Sequence, residues 1–363
     1  MSSLAQDPIS VSRERLGGTA LRSAWNDLKA QKKGMRARDS ADALGVSEAE
    51  LIASLIGEGG TRLRTDGAQI IKDIPALGPV MALTRNESCV HEKIGPYTDV
   101  SINPGHGLVL GKEIDLRIFP AHWRHVFALV EETDNGPRRC IQVFDAAGTA
   151  VHKIYQKPAT DIAAFDALID RWRAEDQTPT LTVLPPLSKR GDRSDVDIDV
   201  DSLRAHWGAL QDTHDFFGLL RDHDVGRLQA MRLVGREFVR QVTPGSLAAL
   251  LEAARDAEVP IMVFVGNQGC IQIHTGPVVN LKRMGPWYNV LDPDFNLHLR
   301  EDQIDTAWVV RKPTRDGDVT SLELFDKDGF CFAQLFGARK PGKPELQRWR
   351  DLLAALPGHG GMH

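Results

Sequence analysis

Apolar residues recur at helical spacing near the start of the chain, over residues 18–57. Within this stretch, Ser47 and Glu50 have the Ser-x-x-Glu spacing of a capping box, directly ahead of the apolar pairs at 51–52 and 55–56. The pattern therefore predicts helices over 18–57, one of which begins at Ser47.

Alternating apolar and polar positions dominate residues 79–157 and indicate strands joined by tight turns. Residues 141–144 and 150–155 flank the turn Asp-Ala-Ala-Gly at 145–148, which predicts a β-hairpin. The spacing then becomes helical over 161–172. Five apolar side chains share one face of this predicted helix: Ile162, Phe165, Leu168, Ile169 and Trp172.

The same order of elements returns after residues 174–202. That segment contains Pro185-Pro186, the basic pair Lys189-Arg190 and four alternating aspartates, so it cannot supply a core and is interpreted as a linker. Beyond it the pattern predicts, in order, helices over 203–255, strands over 260–337 with a hairpin at 322–336, and a closing helix over 343–356.

The two series of elements are copies of one unit. Residues 79–97 (PVMALTRNESCVHEKIGPY) align with residues 260–278 (PIMVFVGNQGCIQIHTGPV) at an offset of 181, and six of the nineteen pairs are identical. The same offset places IQVFDAAG at 141–148 on LELFDKDG at 322–329 without a gap. A period of this length is the size of a domain, too long for a solenoid repeat.

Helices segregated from runs of hairpin strands favour an α+β fold over an alternating parallel one. We predict a tandem duplication in which each half is a large antiparallel sheet with flanking helices. The predicted division is an amino-terminal repeat over 1–173, a linker over 174–202 and a carboxyl-terminal repeat over 203–363. Two similar halves create a cleft between them, and such clefts are favoured ligand sites.

Composition narrows the class of protein. The 363 residues are 42% hydrophobic and 26% charged, which is ordinary for a globular chain, and the net charge of −5 disfavours general nucleic-acid binding. No apolar run approaches the roughly 20 residues of a membrane helix, and the first 16 residues lack the pattern of a signal peptide. These features predict a cytoplasmic protein without membrane insertion.

The four cysteines point to the core and not to a metal or a disulfide. No C-x-x-C or H-E-x-x-H spacing occurs. Cys89 and Cys270 are equivalent in the two copies and have hydrophobic neighbours, so we interpret them as small buried residues in a reducing compartment.

Positions where the copies diverge chemically are candidates for function. Arg117 of the first copy aligns with His298 of the second within two similar strands. His214 has no clear partner in the first copy; Asp212 or Thr213 would cap a helix in whose first turn it lies. A lone histidine is more often a core or capping residue than a ligand.

Several long motifs resemble the hemin-degrading factor family, the HemS, ChuS, HmuS and PhuS type. The second copy matches through PIMVFVGNQGCIQIHTGPV, NVLDPDFNLHL, WVVRKPTRDGDVTSLELFD and FGARKPGK. The first copy matches through RNESCVHEKIG, IDLRIF and QVFDAAG. The resemblance covers roughly residues 25–356 and implies a cytoplasmic protein that binds one heme between two similar halves.

The resemblance also implies roles for particular residues. His214, in THDFFGLL, would be the axial ligand of the heme iron, a task that suits a neutral imidazole. Arg117, in DLRIF, would lie over the opposite face of the heme as a permanently charged donor. Phe119 and Phe264 would pack against the porphyrin.

Four further residues match positions where the family contacts the propionates and rim of the heme: Arg227, Lys312, Gln334 and Arg339. Ala333 departs from the family, because relatives can carry a tyrosine there, and its absence predicts altered heme anchoring. His223, His274 and His298 remain alternative ligands.

Two functions follow from the resemblance. We favour an enzyme that opens the porphyrin oxidatively and releases iron; the alternative is a carrier that delivers heme to a separate heme oxygenase. A third reading, an interaction protein without heme, is opposed by the retained His214 and Arg117. The partners to test for are heme, an electron donor or a heme oxygenase, a heme importer and a second copy of the chain.

Overall fold

The structure is a computed structural model that describes residues 17–134, 136–187, 191–339 and 342–360. The amino-terminal segment 1–16 and the basic pair Lys189-Arg190 of the predicted linker lie outside these residues. Among the described residues, no helix is long and apolar enough to cross a bilayer.

Three helices open the described chain, as the helical spacing predicted: α1 (Gly18–Gln31), α2 (Ala37–Leu44) and α3 (Glu48–Ala53). The predicted capping box at the start of α3 is confirmed. The Glu50 backbone N–H donates to Ser47 Oγ at 3.2 Å, and the Ser47 N–H donates to a Glu50 carboxylate oxygen at 2.8 Å.

The first half continues with strands, one more α-helix and two 3₁₀ helices (Asp66–Leu77 and Pro120–His122). The predicted strands over 79–157 and helix over 161–172 are confirmed. Their bounds are β1 (Gly60–Leu63), β2 (Val80–Arg85), β3 (Cys89–Gly95), β4 (Val100–Ile102), β5 (Gly107–Leu110), β6 (Asp115–Ile118), β7 (His125–Glu131), β8 (Arg138–Phe144), β9 (Ala150–Gln156) and α4 (Ile162–Trp172). The predicted face of α4 buries Phe165, Leu168, Ile169 and Trp172.

The second half repeats this order. Its bounds are α5 (Val200–Gly208), α6 (Asp215–Asp222), α7 (Arg227–Leu233), β10 (Val239–Val242), α8 (Ser246–Asp256), β11 (Ile261–Gly266), β12 (Cys270–Gly276), β13 (Leu281–Met284), β14 (Trp287–Leu291), β15 (Phe295–Arg300), β16 (Thr306–Lys312), β17 (Val319–Phe325), β18 (Cys331–Gly337) and α9 (Gln347–Ala354). The predicted closing helix is thus confirmed.

Strand β10 lies inside the region that was predicted to be helical throughout, and that part of the prediction is wrong. This four-residue strand is the last of its sheet: it pairs with β16 along its length, and only an isolated bridge from Val242 to Gly358 lies on its other side. Four residues contain too few alternations to be distinguished from a helical stretch, so its strand conformation depends on β16.

The described strands form two antiparallel sheets of nine. Sheet A has the order β1-β7-β8-β9-β2-β3-β15-β14-β13, and sheet B has the order β10-β16-β17-β18-β11-β12-β6-β5-β4. Each sheet therefore combines six strands of one half with three strands of the other. The halves exchange β4–β6 and β13–β15, so neither sheet is complete without the other half. The division at residues 173 and 203 remains a prediction about the repeat units.

Two asparagines connect the halves where the sheets meet. Asn86 donates to the carbonyl oxygens of Gly266 and Phe332 at 2.9 and 2.8 Å, and its own side-chain oxygen accepts from the backbone N–H groups of Ser88 and Cys89. Asn267 makes the corresponding contacts in the opposite direction, including donation to the Arg85 carbonyl oxygen at 2.8 Å. The identical pair found in the repeat is therefore a reciprocal clamp between the copies.

Both predicted hairpins are present and share their irregularities. The register shifts between Val143 and Phe144 in the first hairpin, and at the equivalent pair in the second. Their turns end at Gly148 and Gly329, whose φ angles of +77° and +73° lie in the region that favours glycine.

Each sheet has one fully covered face and one partly covered face. The covered face of sheet A packs on α4, and that of sheet B packs on α8 and α9. Helices α1–α3 cover part of the other face of sheet A, and α5–α7 cover part of the other face of sheet B. Cys89 and Cys270 are free and buried in these cores, which confirms their interpretation.

A buried histidine network connects the two halves and gives the fold an acid sensitivity. His152 Nδ1 lies 2.8 Å from Thr84 Oγ1, and its Nε2 lies 2.6 Å from the Tyr97 hydroxyl. Burial lowers the pKa of His152 to about 3, because the charged imidazolium would lose its hydration.

We expect acid to destabilise the protein through His152. Its folded pKa is depressed, so its contribution is present above the unfolded value of about 6.5 and is lost as the pH falls towards 3. Between pH 7 and pH 5 this loss is about 2 kcal/mol. Between pH 7 and pH 5, the free energy of unfolding measured in urea should therefore fall by about 2 kcal/mol less in His152→Gln than in the wild type. Equal pH dependence in both proteins would contradict the assignment.

Candidate functional site

His214 lies immediately before α6, at the N-cap position of the helix. The prediction that Asp212 or Thr213 is the N-cap, with His214 in the first turn, is therefore wrong by one or two residues. Asp212 instead turns its carboxylate onto His214. One oxygen accepts the His214 backbone N–H at 2.9 Å and lies 2.6 Å from His214 Nδ1.

This pairing determines which ring nitrogen of His214 is available to bind a metal. The backbone N–H of His214, followed by contacts of its side chain, lowers the pKa of Asp212, so the carboxylate is charged and can only accept. His214 Nδ1 therefore donates, and Nε2 of the neutral ring keeps its lone pair. The side chain is 86% exposed. A carboxylate that orients an imidazole in this way is the usual second partner of a metal-ligating histidine.

Arg117 lies on β6, the innermost of the three strands that the first half contributes to sheet B. Leu116 and Ile118 point into the core, whereas Asp115 and Arg117 point to the partly covered face. Arg117 forms an ion pair with Asp115 and remains 31% exposed. Burial raises the pKa of Asp115, although Arg117 opposes this shift.

Cross-strand register places three of the predicted residues on one face of sheet B. Arg117 is directly across from Ile271, and Phe264 is directly across from both Ile273 and Gln334. Ile271 and Ile273 are two residues apart on β12, so they and their cross-strand partners point to the same face. Phe264 also packs on Phe336, with ring centroids 5.0 Å apart. Arg117, Phe264 and Gln334 therefore line a common surface made by both halves.

Phe119 extends this surface beyond the end of β6. Its backbone N–H donates to the Gly269 carbonyl oxygen at 3.0 Å, and its side chain is half-buried. Phe119 is two residues after Arg117, and residues two apart in extended chain point to the same face.

Helices α5–α7 cover only one side of this surface. Phe216, two residues after His214, packs in a cluster with Trp308 and Val310 of β16. The side chains of β18, β11, β12 and β6 on the same face are less covered, and Gln334, Phe264 and Arg117 are half-buried. From β18 to β6 this floor spans three strand spacings, about 14 Å. His214 thus begins the helix whose edge borders a floor that contains Arg117.

Arg227 and Lys312 meet at a buried carboxylate on the same face of sheet B, directly across from Gln334. Arg227 donates to both oxygens of Glu323 at 2.8 Å, and Lys312 donates to one of them at 2.8 Å. Gln334 accepts a further Arg227 N–H at 3.0 Å. The Glu323 side chain is 0% exposed.

The charges of this cluster are interdependent. Burial alone would raise the pKa of Glu323, but Arg227 and Lys312 lower it to about 2. Burial lowers the pKa of Lys312, and Glu323 opposes that shift. Two cations share one carboxylate, so the cluster carries one net positive charge.

The remaining predicted positions differ in accessibility. Arg339 follows β18 and is half-buried. Ala333 is 1% exposed and lies in the core cluster on the opposite face of the sheet from Gln334. Because neighbouring residues of a strand point to opposite faces, the expectation that residue 333 alters heme anchoring beside Gln334 has no structural basis.

The three alternative histidines lie in different places. His274 is buried and stacks on Phe295 at a centroid distance of 3.7 Å. His298 lies on sheet A, where its Nδ1 is 2.7 Å from Asn289 Oδ1. His223 lies at the other end of α6, with its Nε2 3.2 Å from His206 Nδ1. Within the described part of the chain, no three His, Cys, Asp or Glu side chains are grouped to hold a metal ion.

Sequence reasoning missed two functional candidates. Asp212 was considered only as a helix cap, although its Asp-x-His spacing is a local signal for a carboxylate that orients an imidazole. Glu323 has no comparable signal, because its cation partners are 96 and 11 residues away.

Comparison with known proteins identifies the family of the chain. The family described as "Haemin-degrading HemS.ChuX domain" matches residues 45–172 and 224–356. "Hemin transport protein HmuS" of Yersinia pestis is 42% identical over 331 residues, which cover 90% of this chain and 94% of that protein.

Two solved structures are similar over nearly the whole fold. Holo-PhuS, a heme-binding protein from Pseudomonas aeruginosa, has a TM-score of 0.91 and 50% identity, covering 93% of this chain and 98% of that one. ChuS, an E. coli heme oxygenase, has a TM-score of 0.83 and 39% identity, covering 93% of this chain and 99% of that one. The chain, with its duplicated α+β fold, therefore belongs to the haemin-degrading HemS/ChuX family.

Proposed function

We propose that the protein binds heme on the partly covered face of sheet B and degrades it oxidatively, which releases the iron. His214 Nε2 is the iron ligand, and Arg117 lies over the other heme face. Phe119 and Phe264 contact the porphyrin. The observation that carries this proposal is the Asp212–His214 pair, which holds an exposed imidazole with its Nε2 lone pair free.

The electrostatics of the floor suit a dianionic ligand. The Arg227–Glu323–Lys312 cluster has one net positive charge next to Gln334, and Arg339 adds a second cation nearby in the chain. Arg227 and Lys312 are held by Glu323, so they attract the propionates through their field. Gln334 and Arg339 are the side chains we propose for direct contact.

In the proposed reaction heme is the substrate, and a dioxygen- or peroxide-class oxidant and a reductant are consumed. Heme supplies the redox chemistry. The protein orients the imidazole through Asp212 and provides in Arg117 a permanently charged donor anchored by Asp115. Such a donor stabilises negative charge that develops on the distal face without reorganising during the reaction.

A heme carrier is the second candidate, and the exposure of His214 favours it. An 86% exposed ligand can be approached by an acceptor protein without unfolding α6. The relatives include both a hemin transport protein and a heme oxygenase. Under either function we propose a cytoplasmic location. A heme importer, a heme oxygenase, an electron donor and a second copy of the chain remain predicted partners.

One assay separates the two functions. Purified protein is loaded with hemin and given ascorbate in air, with catalase in a parallel tube. Loss of the Soret band despite catalase, with release of iron and a tetrapyrrole product, supports the enzyme. A stable complex that bleaches only when catalase is absent supports the carrier.

We expect His214→Ala to weaken hemin binding by at least about a hundredfold, because loss of an outer-shell partner alone typically costs about 10- to 100-fold. Asp212→Asn should lie between this variant and the wild type. Absorption titration with hemin gives both the affinity and the spectrum of the ligated iron. His223→Ala is the matched control at the other end of α6 and should behave as the wild type. A wild-type spectrum and affinity in His214→Ala would remove His214 from the site.

A further inference from the structure

A cavity lies in front of sheet A, at the place that corresponds to the proposed heme floor on sheet B. Its volume is about 940 Å3, within the range of small-molecule sites. The offset of 181 converts Arg117 to His298, Phe264 to Leu83 and Gln334 to Lys153, and all three of these equivalents line the cavity. The duplication has therefore kept the space and replaced its chemistry.

The floor of this cavity contains a buried charge cluster. Glu48, from α3, accepts hydrogen bonds from Lys153 of β9 and Arg85 of β2. Glu48 and Lys153 are 7% exposed. Burial alone would raise the pKa of Glu48, but Lys153 and Arg85 lower it below its usual value. The carboxylate is thus charged, and these three side chains together carry one net positive charge.

The same charge arrangement occurs on sheet B, but the residues are not equivalent. There α7 supplies a cation, Arg227, and the strands supply Glu323 and Lys312. At the first-half positions that match Glu323 and Lys312 the chain has Gln142 and Glu131. Direct inheritance from the duplication cannot explain the second cluster. Each half has a buried excess positive charge between its helices and its sheet, built from different residues.

The cavity walls present further groups without partners. Trp25 and Gln142 are each 5% exposed, and neither the Trp25 indole N–H nor the Gln142 side-chain oxygen has a hydrogen-bond partner. Buried polar groups are normally satisfied. Both residues line the cavity, one from α1 and one from β8, so its lining contains a donor and an acceptor without partners. Trp287 lies in the same lining, with Arg36 and Arg300 at 5.8 and 5.3 Å from its ring.

We propose that this cavity is a second ligand site, which takes an aromatic organic anion, a carboxylate or a sulfonate, without using a metal. The anionic group lies towards Lys153 and Arg85, where the uncompensated charge is. The aromatic body packs against the half-buried indole of Trp287. The histidine in the lining, His298, is engaged through Nδ1 by Asn289 and is not required for this mode of binding.

The probe is 1-anilinonaphthalene-8-sulfonate, titrated calorimetrically into protein that already holds one equivalent of hemin. We expect one site. Lys153→Gln introduces the residue that the second copy has at position 334 and leaves Arg85 to neutralise Glu48, so the fold should persist. It should weaken the probe about tenfold, because a charge-assisted contact is lost. Trp287→Leu, a second variant that changes no charge, should weaken it about fivefold.

Lys72→Gln is the matched control, since it removes one exposed lysine outside the cavity and should bind the probe as the wild type does. Equal affinities in all four proteins would overturn the proposal. The proposal would also be overturned if a second equivalent of hemin displaced the probe and Lys153→Gln no longer bound that second equivalent. The cavity would then be a metalloporphyrin site. Hemin loading is measured first, and a protein that fails to load is titrated without hemin. Failure of the proposed heme function therefore leaves this test intact.

Discussion

Glu323→Ala is expected to destabilise the protein by about 3–5 kcal/mol, the usual effect of removing one member of a buried ion pair. Arg227 and Lys312 would both remain buried, and each would lose the carboxylate that compensates its lost hydration. Urea unfolding at neutral pH measures the change, with the m-value checked to ensure that the transition stays two-state.

The duplicated chain offers a matched control for this substitution. Gln142→Ala truncates the equivalent buried residue of the first half, which carries no charge, and should cost clearly less. Adding Lys312→Met to Glu323→Ala should restore part of the loss, because one stranded cation is removed. Equal destabilisation by Glu323→Ala and Gln142→Ala would show that packing, and not charge, explains the effect.

The destabilisation caused by Glu323→Ala should also depend on pH. The folded pKa of Glu323, about 2, is below its usual value of about 4.3. Its electrostatic contribution is therefore present above about pH 4.3 and is lost as the pH falls through 2. The difference between wild type and Glu323→Ala should shrink across this acidic range.

Arg117→Ala is expected to slow hemin degradation by about 10²–10³-fold, the usual effect of removing one preorganised donor that stabilises developing charge. Hemin affinity should stay within about threefold of the wild type, because His214 and the aromatic contacts are retained. The rate is measured as loss of the Soret band of the hemin complex with ascorbate and catalase in air.

Arg171→Ala is the matched control for Arg117→Ala. It removes an exposed arginine of α4, the helix that packs on the covered face of sheet A, away from the proposed heme floor on sheet B. It should degrade hemin at the wild-type rate. Arg117→Lys keeps the charge but loses the planar fork, so an intermediate rate would show that geometry contributes beyond charge. Wild-type turnover in Arg117→Ala would leave Arg117 with a structural role only.

The partly covered faces of the two sheets show what a duplication can conserve and what it can change. The asparagine clamp, the hairpins and their bulges are retained in both copies, and they determine where the sheets lie. The groups on the partly covered faces differ, as Arg117 and His298 show. The scaffold therefore keeps two equivalent sheet faces, and the side chains give each its own chemistry.

Local patterns were sufficient for much of the fold. The capping box at Ser47, the hairpin turns and the apolar face of α4 could be predicted because each depends on residues a few positions apart. The α+β class followed from the order of these elements. The proposed role of His214 followed from the motif that it shares with a family.

The exchange of strands between the halves could not have been predicted from the repeat. The repeat offset of 181 is the same whether β4–β6 and β13–β15 stay in the sheet of their own half or are exchanged between the two sheets. Both arrangements therefore have the same sequence pattern. The sequence by itself determined the elements, the duplication and the identity of the candidate groups. Only the tertiary structure decided that Arg117 faces the same surface as Phe264, that Asp212 orients His214 and that Glu323 holds two cations, since these depend on which distant strands pair and which face each residue then occupies.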